Sequence, residues 1–314
     1  MATKFEGLND NKVINEKTNA TTDHTADAGI VETSNNISEN RTPTDPNDIT
    51  VRVSDPRAPI ILLFGAPSSG KTMTLVRLAR YLREKKEYSV SVDKRFVTTK
   101  DVWEYEENAK KFNDMLSTTT ALPGTDRNDF LFIRICDRKG TVICQILEGA
   151  GEDYFPSTRT NRVHKQFPSY MTGIFNCNNK KVWIFLTEPD WKVEQRDRED
   201  YVQRIAYCKS QYIAKRDKSI ILYNKVDTTN FVMSAGVVHT ENAMKECNNE
   251  YAGIFSVFRN DNPLPWAKKY TCKFVPFSTG EFGDAADGEL GHYDISHDAY
   301  PARLWETIEQ CIKG

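Results

Sequence analysis

Pro59-Ile60-Ile61-Leu62-Leu63-Phe64 runs directly into Gly65-Ala66-Pro67-Ser68-Ser69-Gly70-Lys71-Thr72, which opens onto the charged and apolar stretch from Met73 to Lys86. An unbroken apolar run of this length predicts a strand covered on both faces. In the last stretch Leu75, Leu78, Ala79 and Leu82 fall on one helical face, with Arg77, Arg80 and Lys85 expected to face outward. The turn between them satisfies G-x-x-x-x-G-K-[ST] at every fixed position. Its glycines let the backbone curl until successive N–H groups point inward at phosphate oxygens. The helix that follows adds unpaired donors and a positive dipole end. Gly65, Ser68, Ser69, Gly70, Lys71, Thr72 and Met73 are therefore the expected phosphate-binding set. Lys71 is placed to bridge the β- and γ-phosphates as a catalytic cation, and the Thr72 hydroxyl to ligate Mg²⁺.

Outward from this loop the chain alternates strand and helix. Residues 88–97 could add a short strand and 101–116 read as helix. Phe130–Ile135 and Thr141–Leu147 flank the turn Asp137-Arg138-Lys139-Gly140 as a hairpin. Val182–Leu186, Ser219–Tyr223 and Cys272–Pro276 are further strands, with helical stretches near 192–215, 240–258 and 301–313. This predicts a three-layer α/β P-loop fold with a mostly parallel six-stranded sheet and one antiparallel hairpin.

Two more motifs sit at strand ends. Val142–Leu147 leads into Glu148-Gly-Ala-Gly151-Glu152. A strand-end carboxylate after a phosphate loop holds a metal-bound water, and a glycine three residues on offers its N–H to a γ-phosphate, so hydrolysis releases the loop beyond. Ser219–Tyr223 leads into Asn224-Lys225-Val226-Asp227. A carboxylate at 227 matches the two adjacent donors of guanine, N1–H and the N2 amine. Adenine presents neither and would leave the acceptor unpaired, at a cost of about 1–3 kcal/mol or more. The Lys225 stem would cover one face of the base, and Asn224 would tie this loop to the phosphate loop. Backbone N–H groups of Ser278 and Thr279, after the last strand, are candidates for the guanine carbonyl.

With these motifs in this order, residues 58–314 resemble Ras-like small GTPases of the translation-factor-related P-loop class, nearest to Arf-like and signal-recognition-particle-receptor-β-like proteins and their bacterial relatives. The resemblance implies binding of GTP with Mg²⁺, slow hydrolysis to GDP, and a molecular switch with a protein effector or GTPase-activating partner. It also implies a first-switch threonine on the metal, among Thr118, Thr119, Thr120 and Thr125. Thr125 is favoured by its distance in sequence from Glu148. Three residues depart from the family. Glu148 replaces the usual aspartate, Pro67 stands where many relatives have glycine, and Glu152 takes the place of a catalytic glutamine. A carboxylate at 152 could orient or deprotonate the attacking water but would also repel the γ-phosphate. A non-hydrolysing pseudo-GTPase that serves as a docking module therefore remains an alternative. An ATP-dependent P-loop enzyme is a third reading, should the NKxD stretch be accidental.

Other features bound the function. Basic and acidic residues number 42 and 44, a net charge of −2 that creates no general attraction to nucleic acid or anionic membrane. Seven scattered cysteines without CxxC spacing argue against a disulfide framework or zinc site and fit a reducing, cytoplasmic setting. No stretch of roughly eighteen apolar residues predicts a membrane span. Ala2 excludes N-myristoylation, and Lys313 breaks a C-terminal prenylation box at Cys311. Residues 1–57 are polar with isolated apolar positions and read as a disordered tail before the domain at 58–314. His292, Asp294, His297 and Asp298 read as a solvated loop rather than a metal site. Arg159 and Arg162 read as helix surface rather than an arginine finger, and Trp183 and Trp305 as core.

Overall fold

The structure, a computed structural model, describes residues 43–85, 87–100, 102–117, 130–189, 194–260, 262, 269–282 and 293–314. In chain order the first half holds β1 (Ile60–Phe64), α1 (Lys71–Glu84), β2 (Tyr88–Val92), α2 (Trp103–Ser117), β3 (Leu131–Asp137), β4 (Val142–Glu148), the single turn α3 (Gly151–Tyr154), α4 (Ser169–Asn176) and β5 (Lys181–Thr187). The second half holds α5 (Gln195–Tyr212), β6 (Lys218–Tyr223), β7 (Val232–Ser234), β8 (Val237–Val238), α6 (Thr240–Glu250), α7 (Ile254–Val257), β9 (Cys272–Pro276), β10 (Gly280–Phe282), β11 (Tyr293–Ile295) and α8 (Ala299–Lys313).

One sheet organises the domain, in the order β2-β3-β4-β1-β5-β6-β9. The five strands from β4 to β9 run parallel, while β3 is antiparallel to both neighbours. Every residue of β1 and of β5 is buried, as helices on both faces require. This is the three-layer α/β P-loop architecture, with seven strands instead of six. The extra strand is β2, whose Ser-Val alternation half-buries it at the sheet edge beside β3. The hairpin turn closes as the sequence suggests. Asp137 Oδ1 accepts from the N–H groups of Lys139 and Thr141, and Gly140 takes φ 81°, which a side chain would resist.

Two expectations fail. Arg77 and Arg80 do not face solvent; they are 1 % and 7 % exposed. Arg77 donates to the Ser296 carbonyl and to Asp298 at the start of α8, at 2.7 and 2.6 Å, and Arg80 donates to the Met115 carbonyl on α2. Long arginine stems thus cross between helices that a one-helix projection cannot foresee. The boundary at 57 is also too late. Ile49 is buried, Val51 bridges Val97, and Thr44 donates twice to Glu104 on α2. The domain accordingly begins near residue 43, and the remainder of the polar segment lies outside the described residues. Trp183 and Trp305 are core residues, 0 % and 5 % exposed. No helix among the described residues is long and apolar enough to cross a membrane.

Candidate nucleotide-binding site

Because β4, β1, β5, β6 and β9 are parallel neighbours, the loops after them emerge at one edge of the sheet. The chain also reverses its strand order at β1, the position where open α/β sheets bind ligands. The three sequence motifs follow β1, β4 and β6, so the topology alone brings them together.

After β1, left-handed backbone at Ser68 (φ 61°) and Gly70 (φ 84°) curls the phosphate loop. A Cβ on Gly70 would stand 2.5 Å from Asn224 Nδ2, so only glycine fits between the two loops. Lys71 is 6 % exposed, and its ammonium donates to the loop carbonyls of Gly65 and Ala66 at 3.2 and 3.1 Å. Burial pushes its pKa down to about 8, opposed by Glu148 and the other nearby carboxylates, so the group is mostly charged at neutral pH. The Thr72 hydroxyl donates to Glu148 Oε1 across the cleft. A hydroxyl and a carboxylate facing one another are the hard oxygen donors that suit Mg²⁺, and the longer glutamate still reaches. Gly151 begins α3 directly against the phosphate loop. A Cβ there would lie 2.5 Å from Pro67 Cα, so any side chain would push the two loops apart.

After β6, buried Asn224 donates from Nδ2 to the Ser69 carbonyl at 3.0 Å, locking the base-side loop to the phosphate loop. The Lys225 ammonium pairs with Glu188, just beyond β5, and donates to the Ser68 carbonyl at 3.3 Å. Asp227 Oδ1 is buried with no hydrogen-bond partner among the described residues, as are Asn224 Oδ1 and Ser69 Oγ. Unpaired buried acceptors cost about 1–3 kcal/mol each unless a ligand supplies donors. Ser278 and Thr279 are buried beside this loop, where Val226 N–H donates to the Phe277 carbonyl at 3.1 Å.

Glu152 is engaged elsewhere. Ser157 donates to both of its carboxylate oxygens, from backbone N–H at 2.8 Å and from the hydroxyl, which turns Glu152 into the following loop. Arg162 is not surface but 3 % exposed, ion-paired with Asp197 and Asp200 on α5 and stacked 4.5 Å from the Phe155 ring centroid. Arg159 pairs with Glu194 and Asp197. Thr118, Thr119, Thr120 and Thr125 lie outside the described residues, as does His292. Asp298 is taken by Arg77, and His297 Nδ1 accepts from Ala299 N–H at 3.1 Å.

No protein-family model matches the chain. No curated protein matches it either. Among solved structures it is similar to the S. cerevisiae Ski7 GTPase-like domain, bound to GTP, at a TM-score of 0.40 and 13 % identity. The alignment covers 82 % of this chain and 51 % of that one, so the chain spans about half the length of that neighbour.

Glu188 and Tyr201 are site residues that the sequence reading passed over. Glu188 positions Lys225. Tyr201, on α5, donates its hydroxyl to the Phe64 and Leu186 carbonyls at 3.3 and 2.8 Å, clasping the ends of β1 and β5. Glu188 had a visible signal, a carboxylate ending the apolar run Val182–Leu186; Tyr201 had none.

The arginine pairing has a pH signature. Burial alone would raise the pKa of Asp197, but hydrogen bonds from Arg162 and Arg159 outweigh it and hold the carboxyl below its ordinary value. A depressed folded value means the unfolded chain takes up this proton first as pH falls. The resulting stability is complete above the unfolded value of about 3.9 and is lost below it. Urea midpoints of wild type and Asp197→Asn should thus differ by a constant amount above about pH 4 and converge at lower pH. A gap that persisted to pH 2 would contradict this account.

Proposed function

We propose that this chain binds a guanine nucleotide with Mg²⁺ and hydrolyses GTP slowly to GDP. The observation that carries the reading is the buried, unpartnered Asp227 oxygen, tied through Asn224 and Ser69 to the loop that presents Lys71. Guanine's N1–H and N2 amine would satisfy that carboxylate, and the Lys225 stem would lie along the base. Lys71 would leave the Gly65 and Ala66 carbonyls for the β- and γ-phosphate oxygens. Thr72 and Glu148 would hold Mg²⁺, which supplies charge neutralisation between the phosphates. Gly151, in contact with the phosphate loop, is placed to offer its N–H to the terminal phosphate.

The test is competition of GTP and ATP against a fluorescent guanine nucleotide. GTP should displace it at concentrations about 100-fold below those of ATP; equal displacement would overturn the guanine assignment.

A second reading, in which the nucleotide is held without turnover as part of a docking module, is favoured by one observation. Glu152, Arg159 and Arg162, the groups nearest the role of water activation or charge stabilisation, are all engaged away from the phosphate loop. Phosphate release in a single turnover by the purified protein separates the two readings, and a partner that brings its own arginine would raise that rate.

A further inference from the structure

On the metal side of the proposed nucleotide pocket stands helix α2, in the stretch 101–116 that the sequence reads as helical. Its residues Asn108 and Lys111 line a small chamber of about 20 Å³ shared with Thr72 and Glu148. That volume holds about one water-sized group. The remaining wall is apolar, formed by Met115, Phe130 and Leu131. Asn108 is 6 % exposed, and its Nδ2 is buried with no hydrogen-bond partner among the described residues. A buried amide nitrogen is a donor only, so it can answer an acceptor but cannot ligate a cation.

The helix holding this donor is anchored at three points. Glu104 accepts from Thr44 through both oxygens. Tyr105 donates to the Asp93 carbonyl at 2.8 Å, and the Met115 carbonyl accepts from Arg80. These contacts hold in place the helix that carries Asn108. Among the described residues Lys111 is paired only with Glu107, one helical turn back, at 3.3 Å with both side chains about half exposed. Such pairs contribute little and exchange readily. The chamber thus offers one buried neutral donor and one mobile cation beside the Thr72–Glu148 pair, against a largely apolar wall.

We infer that α2 reads the terminal phosphate: Asn108 Nδ2 donates to one of its oxygens, Lys111 adds charge, and the pocket thereby favours the triphosphate over the diphosphate. The inference rests on the guanine-nucleotide reading above. It gives two helix residues a share in a discrimination that the sequence reading placed on the Gly151 N–H and on a threonine among Thr118, Thr119, Thr120 and Thr125.

The measurement is the affinity of the full chain for GDP and for a non-hydrolysable β,γ-imido GTP, in the presence of Mg²⁺, by competition with a fluorescent guanine nucleotide. Asn108→Ala should weaken the triphosphate analogue about tenfold and leave GDP within about twofold, since a hydrogen bond to a charged group exists in only one complex. Lys111→Ala, at an exposed position that leaves folding intact, should weaken the analogue about threefold, and less so at high salt. Equal losses for both nucleotides, or no loss in either variant, would overturn the inference and leave the guanine reading standing. Should Asn108→Ala fail to fold, the selective loss in Lys111→Ala decides alone. Failure of the wild type to bind either nucleotide would instead remove the guanine reading and this inference with it.

Discussion

Asp227→Asn is expected to exchange guanine for xanthine. The carboxylate offers two acceptors to guanine's two donors; an asparagine turns one acceptor into an NH₂ group that meets the N2 amine head-on. One hydrogen bond is lost and two donors are left facing each other. Sites built around paired polar groups reject mismatches by large factors, so GTP affinity should fall by about 100-fold or more. Xanthine carries a carbonyl at C2 and accepts from the new amide, so xanthosine triphosphate should gain affinity as GTP loses it. Apo stability separates this role from a structural one. Asp227 Oδ1 has no partner to lose among the described residues, so the variant should unfold at a temperature no lower than the wild type. Lower stability, or weakened GTP binding without any gain for xanthosine nucleotides, would show that the side chain supports the loop instead of reading a base.

That these loops would meet was legible in the sequence because each is a local motif at a strand end. Glycines at 70 and 151 are required by a left-handed turn and by close backbone approach, and Asn224 by the bridge to Ser69. The strands that precede them are apolar throughout, so placing the motifs at strand ends needed no tertiary information. What stayed hidden depends on distant partners. Arg77 and Arg80 read as outward-facing by helical periodicity and Arg162 as helix surface, yet these three, and Arg204 on α5, are each 7 % exposed or less. Each is buried because carbonyls or carboxylates from other elements happen to surround it. Segment 43–57 was unreadable for the same reason. Its apolar residues are too sparse to fold alone, and Ile49 is buried only as part of the core cluster, while Thr44 holds α2 and Val51 bridges Val97. Glu152 was assigned by analogy to a position, and the competing pull of Ser157 is invisible without coordinates.

Arg204 on α5 should prove the most expensive of these arginines to remove. It is fully buried, and no acidic residue pairs with it among the described residues. Its guanidinium donates from Nε to the Tyr154 carbonyl at 3.0 Å and from Nη1 to the Val163 and Lys165 carbonyls at 3.0 and 2.5 Å. The Phe167 ring centroid lies 3.9 Å away. Burial lowers its pKa to about 10, which leaves it charged at neutral pH, held by carbonyl dipoles and an aromatic face. Arg204→Met keeps much of the stem but strands three carbonyls in a dry interior. Breaking such an arrangement costs roughly 3–5 kcal/mol. Arg204→Lys retains the charge but cannot span three acceptors with a single ammonium, so it should recover only part of the loss. The loss should also be local. All three carbonyls belong to the segment that follows Gly151, the stretch that a nucleotide-driven switch would have to move. Amide hydrogen exchange in 154–165 should accelerate more than in β5 or β6, to which none of these three hydrogen bonds runs. An even acceleration across the sheet would mean that Arg204 supports the whole core instead of clamping this segment. If the segment does respond to nucleotide, the clamp sets the energy that binding must overcome, and Arg204→Lys should lower that threshold while the phosphate loop stays intact.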